Sequence, residues 1–266
     1  GSEFMPDLDE GDLMYMPTTY AGISIGKARE LLQQTNKLIY TVPEVETVFG
    51  KVGRADTATD PAPLTMIETF IQLKPHDEWR EGLTTKDLIK ELDGLIDFPG
   101  LTNAWVMPIK TRIDMLATGI KTPVGIKIGG PELKEIQGIG QQIETILTKV
   151  DGTASVYSER VAGGRYVKVD IQRERAARYG LNIADIQSVV ASAVGGMNVT
   201  QSVEGLERYP VIVRYPQSYR SSPQALSLLP IITPQGKRIA LADVADVYIE
   251  DGPPGIKSEN ARLNGW

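Results

Sequence analysis

The chain has 266 residues, 41% of them hydrophobic, and 28 Lys and Arg stand against 34 Asp and Glu for a net charge of −6. That length suits about two compact units, and the acidic balance argues against a nucleic-acid binder, whose affinity comes from Lys and Arg neutralising phosphates. With no cysteine and one histidine, His76, the sequence excludes disulfides, iron–sulfur clusters, zinc ribbons, thiol nucleophiles and multi-histidine metal sites.

No apolar run approaches the roughly 18 to 20 residues that a membrane-spanning helix needs. Gly1-Ser2-Glu3-Phe4 reads as a cloning-site remnant. Leu13–Met16 is the first expected strand. From Ser24, the spacing of Ala28, Leu31, Leu32, Leu38, Ile39 and Val42 predicts a helix. Strands are expected at Val45–Phe49 and Leu64–Leu73, the second followed by a break at Pro75-His76-Asp77. A helix opening at Thr84 or Thr85, with Asp87 as a capping signal, carries Leu88, Ile89, Leu92, Leu95 and Ile96. Leu101–Val106 is then a strand, which completes the order of a split βαβ unit.

A second unit echoes the first at an offset of 108 residues. A strand at Val124–Ile128 precedes a helix bearing Ile136, Ile139, Ile143, Ile146 and Leu147, which answer Ala28, Leu31, Thr35, Leu38 and Ile39. The rest is richer in β-structure. Tyr166–Ile171 alternates, Asn182 caps a helix that Gly195-Gly196 stops, and Met197–Val203, Tyr209–Tyr215, Leu229–Thr233 and Ile239–Ile249 read as strands. The fold class is therefore α+β: tandem ferredoxin-like βαβ subdomains with an inserted β-rich subdomain.

Chemistry-bearing motifs are sparse. Phosphate-cradling glycine motifs are absent, Gly129-Gly130 and Gly163-Gly164 read as turns, and His76 reads as a solvated loop residue. No acid pair sits in an apolar setting that would raise a pKa, so a hydrolase is not supported. Methionines are more informative. Alternation along the strand from Leu64 puts Ile67, Thr69, Ile71 and Leu73 on one face, and Met66, Glu68, Phe70 and Gln72 on the other. The same rule sets Met14 beside Met16. Met115 follows Asp114 in a stretch that is neither a clear helix nor a clear strand. Thioethers suit Cu(I) and Ag(I), but methionine also fills irregular gaps in cores, and composition leaves both readings open.

Several stretches resemble the heavy-metal-efflux branch of the resistance-nodulation-division transporters, of the copper/silver (Cus) type. They are Glu10 through Pro17, Asp60 through Pro75, Arg112-Ile113-Asp114-Met115-Leu116, Thr118-Gly119-Ile120-Lys121, Gly163-Gly164-Arg165-Tyr166, Ala176-Ala177-Arg178-Tyr179-Gly180, Arg208-Tyr209-Pro210, Arg214-Tyr215-Pro216 and Glu259-Asn260-Ala261-Arg262. The resemblance covers nearly the whole chain in one unbroken order. It implies the second large periplasmic loop of a proton-driven pump in the bacterial inner membrane: residues 5–120 as a first porter subdomain, 121–170 with 250–266 as a second, and 171–249 as a docking subdomain. It implies a metal site of Met16, Met66 and Met115, with Glu10, Asp60, Glu68, Arg112 and Lys121 lining the site or its approach. Arg112 and Lys121 serve in that reading as release elements or as partners of Asp114 and Glu68.

The transported ion would be Cu(I) or Ag(I), with no resident cofactor and no enzyme activity. The partners would be the rest of a homotrimeric pump, a periplasmic adaptor and an outer-membrane channel, with no nucleic acid. A docking module without metal selectivity of its own is the alternative, and an acidic enzyme of ferredoxin-like architecture is a weaker third.

Overall fold

The computed structural model describes residues 9–53, 62–122, 124–153 and 155–266. Two compact units emerge, one formed by residues 1–164 with 252–266 and the other by 165–251.

The first unit opens with strand β1 (Asp12–Tyr15) and helix α1 (Ile25–Ile39), whose Ser24 hydroxyl accepts the Lys27 amide as N-cap. Thr35 is fully buried on the core face of α1, where its hydroxyl bonds the Leu31 and Leu32 carbonyls and so hides its polarity. Strands β2 (Val45–Val52) and β3 (Ile67–Leu73) follow, then helix α2 (Thr85–Leu95), which opens with a reciprocal capping box between Thr84 and Asp87. Strand β4 is only Trp105–Val106; the rest of the strand expected from Leu101 touches the sheet through a single bridge, Thr102 to Thr18.

The sheet order is β2-β3-β1-β4, and every registered pair is antiparallel. This is the split βαβ arrangement. Leu13, Tyr15, Ile39, Val42, Val45, Ile71, Leu73, Leu88, Leu92 and Ile96 form the core between sheet and helices. Tyr15 stacks on Trp105 at 4.4 Å and donates to Asn103 Oδ1 at 2.7 Å.

At the sheet margin, buried Glu44 receives Arg80 through Nε at 2.7 Å and Nη2 at 2.8 Å, and Arg80 also reaches Glu91 of α2. These bonds hold the Glu44 carboxyl below its ordinary pKa. A depressed carboxyl contributes stability above its unfolded pKa and loses it as pH falls through the folded value. Arg80→Ala is therefore expected to lower the urea midpoint at neutral pH, with the gap to wild type narrowing below about pH 4. A gap independent of pH would contradict this role.

Helix α3 (Pro108–Thr118) occupies the stretch whose periodicity was indecisive. Proline starts it, where its missing N–H costs nothing. Its open amides at Ile109 and Lys110 donate to the Glu10 carboxylate at 2.8 and 3.0 Å, and Gly119 closes it in the left-handed conformation. Strand β5 (Ile128–Gly130) and helix α4 (Leu133–Leu147) come next, and α4 begins and ends 108 residues after α1.

The second unit runs through β6 (Gly164–Ile171), α5 (Arg173–Arg178), α6 (Ile183–Val190), β7 (Met197–Glu204), β8 (Glu207–Val213), α7 (Pro223–Ser227), β9 (Pro230–Ile232), β10 (Arg238–Ala240) and β11 (Ala245–Gly252). Asn182 caps α6 in a box with Asp185. Strands β6 and β11 pair, as do β9 with β10 and β7 with β8. The run expected as one strand from Ile239 to Ile249 is divided by a 3-10 turn at Leu241–Asp243, which lets Leu241 and Val244 enter a core with Ile186, Leu229 and Ile231.

Strands β12 (Ser258–Glu259) and β13 (Arg262–Gly265) close the chain within the first unit. Asn260 and Ala261, both at positive φ, make the two-residue turn between them. β13 pairs antiparallel with β5, so Gly129 and Gly130 lie in a strand rather than the turn their composition suggested. Among the described residues, no helix is long and apolar enough to cross a membrane.

Candidate metal centre

The register of β1 decides what its methionines face. Asp12 to Tyr15 pair with Gln72 to Thr69, and the bridge from Thr18 to Met66 continues the same offset, which sets Met16 opposite Glu68. On the other flank, Met14 opposes Val106, Thr18 opposes Thr102, and the Met16 amide donates to the Ala104 carbonyl at 2.8 Å. Opposed residues share a face. Leu13 with Ile71 and Tyr15 with Thr69 face α1 and α2, where Thr69 donates to Asn36. Met14 with Phe70, Met16 with Glu68, and Thr18 with Met66 face away from them. Met16 and Met66 are thus diagonal neighbours on the far side of the sheet, with the small Ala104 flanking Met16.

Met16 is 0% exposed and Met14 5%, yet neither belongs to the aliphatic core that takes Leu13 and Tyr15. Helix α3 packs on β1. Its buried face is marked by Thr111, and Met115, one turn further, lies on that face and is half-buried, whereas Leu116 is exposed. The structure therefore sets Met16, just after β1, and Met66, just before β3, on one side of the sheet, and places Met115 on the more buried face of α3, the helix that packs on β1.

The charged residues are placed less uniformly. Glu10 caps α3 and so anchors the helix near the start of β1. Glu68 pairs with Lys51 at 2.8 Å, the cross-strand neighbour that the β2–β3 register dictates. Asp114 pairs with Lys110 at 2.9 Å, one turn before it on α3. Arg112 is exposed. Arg112 and Lys121 thus do not partner Asp114 and Glu68 as one reading held, because closer lysines take both carboxylates. Lys121 instead donates to the Met16 carbonyl and the Thr18 hydroxyl, each at 2.7 Å. Burial pushes its ammonium down to about pKa 8. Asp60 lies outside the described residues.

No group of three His, Cys, Asp or Glu among the described residues could hold a metal ion. Met16, Met66 and Met115 each carry a neutral sulfur, a donor type that favours soft monovalent ions over hard cations. Two surface grooves lie elsewhere. One of about 550 Å³ runs along α4 beside the Glu144–Arg160 ion pair, and another of about 450 Å³ lies by Tyr179 and Lys237 in the second unit; neither is lined by methionine. Sequence reasoning missed Thr18 as a partner of Lys121, Lys110 as a partner of Asp114 and Lys51 as a partner of Glu68. The Lys110–Asp114 spacing would have been readable as a helix pair had α3 been recognised.

The chain belongs to the AcrB/AcrD/AcrF family, whose model matches residues 1–264. Among curated relatives, it is 56% identical over its whole length to the cation efflux system protein CusA of Escherichia coli K12 and covers 25% of that protein. It is 54% identical to the putative cation efflux system protein SilA of Salmonella typhimurium, with 100% of this chain and 25% of that one covered. The cobalt-zinc-cadmium resistance protein CzcA of Cupriavidus metallidurans is 33% identical over 98% of this chain and 25% of its own. A crystal structure of a heavy metal efflux pump superposes with a TM-score of 0.89 at 30% identity, over 99% of this chain and 28% of that one. The chain therefore spans about a quarter of the length of the relatives it matches. These findings bear out the heavy-metal-efflux resemblance of Cus type and the α+β porter class.

Proposed function

We propose that the chain is the periplasmic, metal-binding portion of a proton-driven Cu(I)/Ag(I) efflux pump, and that Met16, Met66 and Met115 hold the ion. The observation that carries this reading is the buried Met16 on the sheet face away from the aliphatic core, with Met66 diagonal to it on that face. Identity to CusA and SilA, both described as cation efflux proteins, supports it. Thioethers bind without losing a proton, unlike thiol or imidazole ligands. Glu68 offsets positive charge nearby, while the Lys121 ammonium opposes a resident cation. The ion is cargo, and the rest of a homotrimeric pump, an adaptor and an outer-membrane channel are the partners.

A docking role falls to the second unit in this reading. Its β7–β8 hairpin exposes Met197, Val199, Val203, Tyr209, Val211 and Ile212, together with Leu206 at the tip, and an isolated two-stranded hairpin is marginal without a partner. Titration with Ag(I) tests the metal assignment. The wild-type chain is expected to bind one ion and the Met16→Ile/Met66→Ile/Met115→Ile variant none at that site. Equal affinity for both proteins would refute it.

A further inference from the structure

The buried stripe of β1 carries one thioether more than the three assigned above. We infer that Met14 is a fourth sulfur donor of the same soft-ion site, a proposal that rests on the metal reading just given. Met14 and Met16 lie two residues apart on one strand, hence on one face, with backbones separated by about 7 Å. Both are almost wholly buried, and both lie outside the aliphatic cluster that takes Leu13 and Tyr15 from between and beside them.

The row containing Met14 is Val106, Met14 and Phe70; the next row is Ala104, Met16 and Glu68. Phe70 is exposed, so the open side of the Met14 row lies toward β3, away from the β4 flank. Helix α3 starts two residues after Val106, and Glu10, two residues before β1, grips its first amides. The same helix that carries Met115 thus begins beside the Met14 row.

A strand position with one face buried favours β-branched or aromatic side chains, yet Met occupies two of the alternating positions on this face. An unbranched thioether with three rotatable bonds adapts its reach, so Met14 offers the ion an alternative ligand beside Met16. A fourth sulfur lets one of the other three leave while three-coordinate binding of Cu(I) or Ag(I) persists, which suits a site that must release its ion.

The test uses the full chain with methyl-labelled methionine, Ag(I) as the probe, and Met14→Leu as the variant. Leucine conserves volume, so thermal stability is expected to hold. In the wild type, the Met14 methyl resonance is expected to move on Ag(I) addition together with those of Met16, Met66 and Met115, and Met14→Leu to weaken Ag(I) binding about tenfold. Should Met14→Leu prove less stable, the wild-type methyl response alone decides. Shifts confined to Met16, Met66 and Met115, with Met14→Leu binding as tightly as wild type, would overturn the proposal and leave the three-methionine site standing. Silence at all four methyls would overturn both.

Discussion

Met16→Ile is expected to weaken Ag(I) binding at least about a hundredfold, equivalent to about 2.7 kcal/mol, while the chain stays folded. The backbone around Met16 is fixed by bonds that do not use its side chain: its amide donates to Ala104, and its carbonyl accepts Lys121. A volume-conserving apolar replacement at a buried site costs less than about 1.5 kcal/mol, and an extended position accepts a β-branched residue. What disappears is the soft donor at the most buried point of the trio, with no carboxylate or imidazole cluster among the described residues to replace it. Met107→Leu supplies the control. Met107 packs against the core on the helix side of the sheet, so its loss should leave Ag(I) affinity unchanged. A competition titration against a chelator reads both, and unchanged affinity in Met16→Ile would remove Met16 from the site.

Lys121→Met is expected to abolish a rise in stability of the metal-free chain between about pH 8 and 10, the range bounded by the folded and unfolded ammonium pKa values. The sign follows from burial. The folded ammonium releases its proton near pH 8, whereas an unfolded lysine keeps it to about pH 10.4. Between those values the unfolded chain binds more protons, so stability climbs with pH. Below them the charged, buried group costs the folded state on the order of 3 kcal/mol. Methionine removes that cost and also the bonds to Met16 and Thr18, worth about 1 kcal/mol each, so the net gain at neutral pH is the smaller part of the effect. Denaturation midpoints across the range give the comparison. Buried Tyr15, whose phenol is pushed above its ordinary pKa, acts in the opposite sense once unfolded tyrosine ionises, so the series stops at pH 10. Parallel curves for variant and wild type would contradict the assignment.

What could be read from the sequence depended on how locally each feature is determined. Helices α1 and α2 announce themselves because Ser24 and the Thr84–Asp87 pair cap them from adjacent residues. The two faces of β3 were legible because alternation is a property of the strand itself: Ile67, Thr69, Ile71 and Leu73 are buried as expected. Helix α3 was not legible. Its N-terminal amides are satisfied by Glu10, about a hundred positions earlier, and its most buried residue is a threonine. The turn expected at Gly129-Gly130 fails for the same reason, since its strand partners, Leu263 and Asn264, lie at the far end of the chain.

The site followed that pattern. Periodicity could set Met14 beside Met16 and turn Met66 away from the core, but only family resemblance connected Met115 to them. The structure adds how the neighbouring elements are held: Glu10 ties the start of α3 to the start of β1, and Lys121 returns to the Met16 carbonyl. Partner choice among the charges was likewise decided by register and helix spacing, which gave Glu68 to Lys51 and Asp114 to Lys110.

The most direct measurement is anomalous diffraction from crystals of this chain soaked in Ag(I). A single strong peak touching the sulfurs of Met16, Met66 and Met115 is the expected result. Peaks confined to surface carboxylates, or dispersed over separate methionines with no shared ion, would contradict it.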